Sequence, residues 1–176
     1  SFANLCDEVI VVDGGSTDGS LEEISKIPKV KIIQGEKWGY DFDWTIMPKN
    51  LQIGYEACSG DWAFHFDVDY IFHEDNVSKL KILIEKTDLP AIEFSKVNFV
   101  LVNENFKKNY YPLLLHKSRY PNLAYGVGYK NGEKKSTFLT PVSKKDNHDG
   151  LIVGDFLDNQ TARYERSDVE VYCYDF

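Results

Sequence analysis

Runs of apolar residues, separated by turn-forming residues, predict a strand, a helix and a second strand near the start of the chain. Val9–Asp13 (VIVVD) is apolar up to its last residue, which is typical of a strand buried on both faces. A Gly-rich turn at 14–19 follows, and Ser20 and Glu23 then have the spacing of a capping box at a helix start. Val30–Ile33 predicts the next strand. Because a β–α–β crossover favours parallel pairing, this segment predicts a layered α/β domain.

The next part of the chain continues to alternate between helical and strand patterns. Apolar residues three or four positions apart predict a helix from Thr45 to Cys58, and Trp62–Phe66 predicts a strand that runs into two closely spaced acids. A third helix is predicted after 73–76, with four apolar residues on its inner side: Val77, Leu80, Leu83 and Ile84. Further strands are predicted at Ala91–Val102, Tyr110–Leu115, Leu151–Phe156 and Val169–Tyr174. We therefore expect one α/β domain over residues 1–176.

The composition is that of a packed globular chain with an acidic balance. Hydrophobic residues make up 43% and aromatic residues 14% of the 176 positions, which suits a single domain with a core. The formal net charge of −8 argues against nucleic-acid binding, which depends on clustered Lys and Arg. A bound metal ion can still reverse the sign locally and admit a polyanionic nucleotide.

Cysteine usage and hydropathy bear on the location. The three cysteines, at positions 6, 58 and 173, are too few and too scattered for a disulfide framework or a zinc site. This usage favours a reducing, cytoplasmic location. Apolar runs in the sequence stay well short of the roughly 20 residues that a membrane span requires, so we expect no membrane span in this chain.

The first candidate site is the pair of carboxylates in Asp67-Val68-Asp69, which follows a hydrophobic strand. Ligands of open α/β sheets bind at the carboxyl ends of the strands, so two acids at such an end are well placed. Carboxylates at positions i and i+2 point to the same side, and oxygen ligands suit Mg²⁺ or Mn²⁺. A divalent ion held there would bridge a diphosphate, whereas the structural alternative is a surface turn with two solvated acids.

The second candidate is Asp13, which ends a buried strand and precedes a Gly-rich turn into a helix start. Backbone N–H groups at such a turn favour anions, and a carboxylate there can accept hydrogen bonds from a nucleotide base or ribose. The structural alternative is a simple strand–helix turn in which Ser16 or Asp18 caps the helix.

These two segments together resemble family 2 glycosyltransferases. Asp7–Ser20 (DEVIVVDGGSTDGS) is similar to the second-strand signature of that family. Lys49–Asp69 (KNLQIGYEACSGDWAFHFDVD) is similar to its helix–strand–DXD segment. The motifs occur in the family's order, with a separation of 54 positions (67 − 13) between Asp13 and Asp67. The resemblance is strongest over residues 5 to 75 and continues in 93–101 and 110–115.

The resemblance implies an α/β chain with the GT-A fold of nucleotide-diphospho-sugar transferases: a mixed, mostly parallel sheet flanked by helices. Residues 1–75 would form the nucleotide- and metal-binding half of the single domain, and residues 76–176 the acceptor-side half. It implies an enzyme that moves a sugar from a nucleotide-diphosphate sugar, most commonly a UDP-sugar, to a hydroxyl of a glycan or other acceptor. The reaction would be inverting and assisted by Mn²⁺ or Mg²⁺.

The family's functional residues map onto individual positions of this sequence. Asp13 would contact the nucleoside. Asp69 would coordinate the metal, and Asp67 would contact the ribose or the metal through its bound water. Lys49 and Asn50 match a helix start that approaches the donor.

Inverting members of the family use a carboxylate base to deprotonate the acceptor hydroxyl. His148-Asp149 is the nearest match to the acidic pair that some relatives carry late in the domain, so Asp149 is the candidate base. Asp146 and Asp155 are the fallback candidates, and the structural alternative for His148-Asp149 is a solvated loop.

The sequence also departs from the family pattern. The family's opening strand and its donor-binding loop are not among these residues, so we expect the chain to be part of a longer protein. Gly14 stands where an acid often follows Asp13, and Cys173 stands where relatives with a closing His offer a metal ligand.

Three other functions remain open at the level of the sequence. A haloacid-dehalogenase-type phosphohydrolase also places Asp-x-Asp after a strand, but it expects a small hydroxyl residue soon afterwards, where this chain has Tyr70-Ile71-Phe72. A sugar nucleotidyltransferase shares the fold and the metal, and its Gly-rich loop would belong near the opening strand. The non-enzymatic alternative is a domain that binds a nucleotide or glycan without turnover.

Overall fold

A computed structural model gives the fold of the chain. It describes residues 1–39, 46–89, 91–100, 106–117, 123–126, 129–130, 133–134, 140–143 and 165–175. The helices are α1 (Phe2–Leu5), α2 (Ser20–Ile24), α3 (Ile46–Ala57) and α4 (Asp75–Lys86). The strands in the first half are β1 (Val9–Asp13), β2 (Val30–Gln34), β3 (Trp62–Phe64), β4 (Tyr70–Phe72) and β5 (Ala91–Val100). Those that follow are β6 (Phe106–His116), β7 (Leu123–Gly126), β8 (Tyr129–Lys130), β9 (Glu133–Lys134), β10 (Thr140–Ser143) and β11 (Glu165–Asp175).

The chain divides into two compact units, each built from separated segments. The DXD unit, which contains Asp67 and Asp69, comprises Ser1–Asp7, Asp61–Arg119 and Arg163–Phe176. The Asp13 unit comprises Glu8–Gly60 and Tyr120–Ala162.

The DXD unit is built on a five-stranded sheet in the order β3-β6-β5-β11-β4. β11 pairs with β5 in parallel, whereas the pairings of β3 with β6, β6 with β5 and β11 with β4 are antiparallel. The expected mixed sheet is therefore present, but in the described residues the antiparallel share is larger than predicted. The physical reason is the long β5 and β6 strands, which follow each other along the chain and pair as neighbours without a crossover helix.

Apolar side chains from four neighbouring strands and from α4 form the core of the DXD unit. Leu80 of α4 is 1% exposed, and it belongs to one cluster with residues of the sheet: Tyr70, Phe72, Ile92, Phe94, Leu114, Val169, Val171 and Cys173. Val77, Leu83 and Ile84 pack against this cluster, as their helical spacing predicts. The Asn76 side chain donates to the Glu170 carbonyl at 3.2 Å and so fixes the start of α4 on β11.

The Asp13 unit contains the predicted β–α–β segment. β1 and β2 pair in parallel, with Asp13 opposite Gln34 at their carboxyl ends, which confirms the crossover. The predicted capping box is wrong, because Ser20 is the first helical residue and the N-cap position belongs to Gly19 at φ 88°. The Asp18 carboxylate instead accepts the Ser20 N–H at 3.0 Å. Helix α3 packs against β1 and β7 in this unit.

Two further observations concern the helices. Helix α3 (Ile46–Ala57) confirms the helix predicted between Thr45 and Cys58, and Pro48 lies in its first turn. In the described part of the chain, helices lack the combination of length and apolar character that crossing a bilayer requires.

Candidate functional site

The DXD motif (Asp67-Val68-Asp69) lies in the tight connection between β3 and β4. The backbone N–H of Tyr70 donates to the Asp67 carbonyl at 3.1 Å and closes this turn. Val68 is fully exposed, at 101% of its reference area, so the turn projects it away from the core. The strand preceding the motif ends at Phe64 and not at Phe66 as predicted, which leaves residues 65–69 free to form the turn.

One carboxylate oxygen of Asp69 accepts a hydrogen bond, and the other accepts none in the described residues. Its Oδ2 accepts a hydrogen bond from the Cys173 thiol of β11, at a Sγ–Oδ2 distance of 3.2 Å. Its Oδ1 is buried and has no hydrogen-bond partner among the described residues. A buried carboxylate oxygen without a partner is costly, so Oδ1 is the atom of this motif at which a bound ligand would lower the free energy most.

Asp67 is more exposed than Asp69, and three side chains influence its carboxylate. His65 Nε2 lies 3.7 Å from Asp67 Oδ1. The interaction with His65 lowers the pKa of Asp67 most, burial acts in the opposite direction, and the charge of Lys96 and the hydroxyl of Tyr70 lower it further. The Asp67 side chain is 56% exposed, so solvent screens these effects. The carboxylate is nevertheless held in its charged form.

Asp13, at the end of β1, is buried and accepts hydrogen bonds from its own turn. Its oxygens accept from the N–H of Gly15 at 2.9 Å and from the N–H and hydroxyl of Ser16 at 3.1 and 2.6 Å. The Ser16 hydroxyl lowers the pKa of Asp13 most; desolvation and the nearby Asp18 raise it, and the two backbone N–H groups lower it further. Each carboxylate oxygen has two lone pairs, so Asp13 retains capacity for a donor from a ligand.

The backbone that follows β2 is held by Asn50 of α3. The Asn50 side chain accepts from the Glu36 N–H at 2.7 Å and donates to the Glu36 carbonyl at 3.1 Å. A Cβ at Gly35 would lie 2.5 Å from Asn50 Oδ1, so this contact needs glycine at that position. Lys49, in contrast, is exposed in the first turn of α3.

Trp38 lies directly against Gly14, a contact that the sequence analysis missed. A Cβ at Gly14 would lie 2.3 Å from Trp38 Cδ1, and the Trp38 N–H donates to the Gly14 carbonyl at 3.1 Å. Trp38 remains 43% exposed. The glycine at position 14, noted as a departure from the family pattern, was the available signal, because a side chain there would displace the indole.

A family profile described as "Glycosyl transferase family 2" matches residues 3–138, which is well over half of the chain. The chain belongs to glycosyl transferase family 2. A comparison with curated proteins finds no match. Membership of this family means that the domain has the GT-A fold and catalyses glycosyl transfer, with a nucleotide-sugar donor and an acceptor. It favours that activity over the phosphohydrolase and nucleotidyltransferase alternatives.

The family 2 match includes Asp13 and the DXD motif and ends before Asp146 and Asp149. The candidate base Asp149, its neighbour His148 and the fallback residues Asp146 and Asp155 lie outside the described residues. Their roles stay predictions.

The DXD motif of this family 2 domain would supply only part of the ligands of a divalent ion. In the described residues, groups of three or more His, Cys, Asp or Glu side chains arranged to hold a metal are absent. A pair of carboxylates is nevertheless the usual protein contribution for Mg²⁺, which keeps several waters and takes its remaining ligands from substrate phosphates. The unpaired Oδ1 of Asp69 is the atom that such an ion would satisfy.

Proposed function

We propose that this family 2 domain transfers a sugar from a nucleotide-diphosphate sugar, with a UDP-sugar as the first candidate, to a hydroxyl of a glycan or other acceptor. The reaction is inverting and assisted by Mn²⁺ or Mg²⁺. The observation that carries the metal assignment is the buried, unpaired Oδ1 of Asp69 beside the charged carboxylate of Asp67. We also propose a cytoplasmic location, with which three cysteines that are not joined in disulfides are compatible.

Asp69 is the metal ligand in this proposal, and Asp67 contacts the ribose or a water of the metal. The ion would supply charge that stabilises the departing diphosphate. The hydrogen bond from Cys173 to Oδ2 fixes the Asp69 carboxylate so that Oδ1 is the oxygen available for coordination.

Asp13 contacts the nucleoside. Its turn holds the carboxylate charged and oriented before a ligand binds, because Gly15 and Ser16 donate to it. A preorganised acceptor loses little conformational entropy when it takes a further hydrogen bond from a base or a ribose.

Lys49 and Asn50 belong to the donor side with different roles. The exposed ammonium of Lys49 would approach the donor directly. Asn50 acts indirectly, because its amide is already used by the backbone of Glu36. Asp149 takes the proton of the attacking acceptor hydroxyl as general base.

The test is calorimetric titration of UDP, and then GDP, into the 176-residue chain with and without Mn²⁺. We expect UDP binding that depends on Mn²⁺ in the wild type and that falls at least tenfold in Asp69→Asn, because the charged metal ligand is lost. Asp88→Asn is the matched control: it removes an exposed carboxylate from the same unit and should bind like the wild type.

Circular dichroism on each variant separates loss of binding from loss of the fold. A folded wild type that binds neither nucleotide with Mn²⁺, or an Asp69→Asn variant that binds like the wild type, would contradict the metal assignment. Release of UDP from a UDP-sugar in the presence of acceptor then distinguishes transfer from binding without turnover.

A further inference from the structure

Lys96 of β5 is a charged residue beside the DXD motif to which the sequence analysis gave no role. Its Nζ lies 2.8 Å from the Tyr70 hydroxyl oxygen and 4.4 Å from the centroid of the Tyr70 ring. Tyr70 follows Asp69 directly and is only 5% exposed. The buried Tyr70 side chain therefore contacts the Lys96 ammonium, and its backbone is bonded directly to the last residue of the DXD motif.

The topology of the sheet explains why these residues meet. Tyr70 of β4 lies opposite Cys173 of β11, and Cys173 lies opposite Asn98 of β5. Residues in register across neighbouring strands share a face, and so do residues two positions apart on one strand. Lys96 therefore lies on the same face as Tyr70 and Cys173, at the end of the sheet where the DXD motif begins.

The chemistry of the three groups fixes the direction of the hydrogen bonds. An ammonium has three donors and no acceptor, so the Tyr70 oxygen must accept from Lys96. Tyr70 then donates its single hydroxyl proton to a different acceptor. Asp67 is the candidate acceptor, because the Tyr70 hydroxyl and the charge of Lys96 both lower the pKa of its carboxyl group.

We infer that Lys96 is a positioning residue of the donor site, which acts through the Tyr70 hydroxyl to orient and hold the Asp67 carboxylate. The inference rests on the proposed function, because it assigns Asp67 to the donor and its metal. Its consequence is that Asp67 reaches the ligand in one orientation, restrained by His65 as well as by Tyr70. Groups that orient a residue at a metal typically contribute tenfold or more to affinity.

The experiment measures the affinity for UDP in the presence of Mn²⁺ in a set of variants. Lys96→Met and Tyr70→Phe should each lower the affinity for UDP by roughly tenfold. The double variant should bind UDP no less tightly than the single variant with the lower affinity, because both residues act through one contact. Lys96→Met made in an Asp67→Asn background should have no further effect, because the residue through which Lys96 acts has already lost its charge.

Two matched controls are available in the same unit. Tyr172→Phe removes a hydroxyl that also donates to a carboxylate, that of Glu170 at 2.9 Å, but on the other face of the sheet. Lys79→Met removes an exposed ammonium from α4. Both controls should bind like the wild type, and circular dichroism should show that every variant is folded.

The outcomes separate this inference from the proposed function. A silent Lys96→Met, or additive losses in the double variant, would overturn the inference and leave the proposed function standing. Weakening by Lys96→Met that persists in the Asp67→Asn background would also overturn it, because Lys96 would then contact the ligand directly. A folded wild type without Mn²⁺-dependent UDP binding overturns both.

Discussion

At the scale of single residues, the turn after β1 shows how Asp13 is held in its charged form. Gly15 and Ser16 donate to its carboxylate, and the Ser16 hydroxyl is the main cause of its lowered pKa. A carboxyl group with a lowered folded-state pKa contributes stability that is present above its unfolded pKa of about 4 and is lost as the pH falls through the folded value. Ser16 therefore links the stability of the fold to the pH.

This linkage gives a prediction for Ser16→Ala. The variant should be less stable than the wild type at pH 7, and the difference should shrink as the pH falls below about 4, because protonated Asp13 no longer depends on Ser16. Thermal unfolding followed by circular dichroism from pH 7 to pH 2.5 measures it. Ser25→Ala removes a hydroxyl that donates to the Glu22 carbonyl, and its effect should not vary with pH. A Ser16→Ala effect that is constant across the range would contradict the argument.

Gly14 carries a second prediction at this scale. A methyl group there would lie 2.3 Å from Trp38 Cδ1, which is closer than two non-bonded carbon atoms can approach. Gly14→Ala should therefore displace the indole. Overpacking of this kind costs about 1–3 kcal/mol. We expect the tryptophan emission to shift to longer wavelength, because a displaced Trp38 is more hydrated. The shift should vanish in a Trp38→Phe background, and an unchanged spectrum would show that the indole does not rest on Gly14.

At the scale of elements, α4 is the helix whose packing the sequence predicted best. Leu80 is 1% exposed within the core of the DXD unit, whereas Ile82 of the same helix is 50% exposed. Leu80→Ala should lower the free energy of unfolding by about 2–5 kcal/mol, because it removes buried methyl groups and leaves a cavity. Ile82→Ala is the control and should change it by less than about 1 kcal/mol. Denaturant unfolding measures both, and equal effects would mean that α4 does not pack as described.

The elements that the sequence predicted are those whose signal is local. β1 has a continuous apolar run and α4 has an apolar stripe, and both patterns are complete within one element. β4 was missed because its three residues form a strand only by pairing with β11, about one hundred positions away along the chain. The capping box failed for a different, local reason: the helix begins at Ser20 itself, after Gly19 as N-cap, and the Asp18 carboxylate accepts the Ser20 N–H.

The candidate site divides in the same way. Asp13, Asp67 and Asp69 stand in short motifs, so sequence alone identified them. The groups that hold them come from other strands: Lys96 lies 26 positions from Tyr70, and Cys173 lies 104 positions from Asp69. Only the strand order β5-β11-β4 brings these residues together, and a sequence without the sheet topology does not contain that information.

At the scale of the whole molecule, the net charge sets the conditions for nucleotide binding. The chain carries 28 acidic and 20 basic residues, with a formal net charge of −8, so a free nucleotide diphosphate meets an overall repulsive field. A divalent ion is often the largest local charge in such a site and reverses its sign. The metal should therefore matter more for a ligand with more phosphates.

Uridine, UMP and UDP test this argument as a graded series. Without divalent ions, affinity should not rise from uridine to UDP, since each phosphate adds repulsion. With Mn²⁺, affinity should rise along the series, and the gain on adding Mn²⁺ should be largest for UDP, because the diphosphate supplies the metal ligands that the two DXD carboxylates leave open. Calorimetry at two salt concentrations measures the gains, and the metal-free penalty should weaken at the higher one because salt screens surface charge. An equal increase in affinity for uridine and for UDP on adding Mn²⁺ would show that the metal does not act through the phosphates. It would exclude a diphosphate that the metal bridges to Asp69.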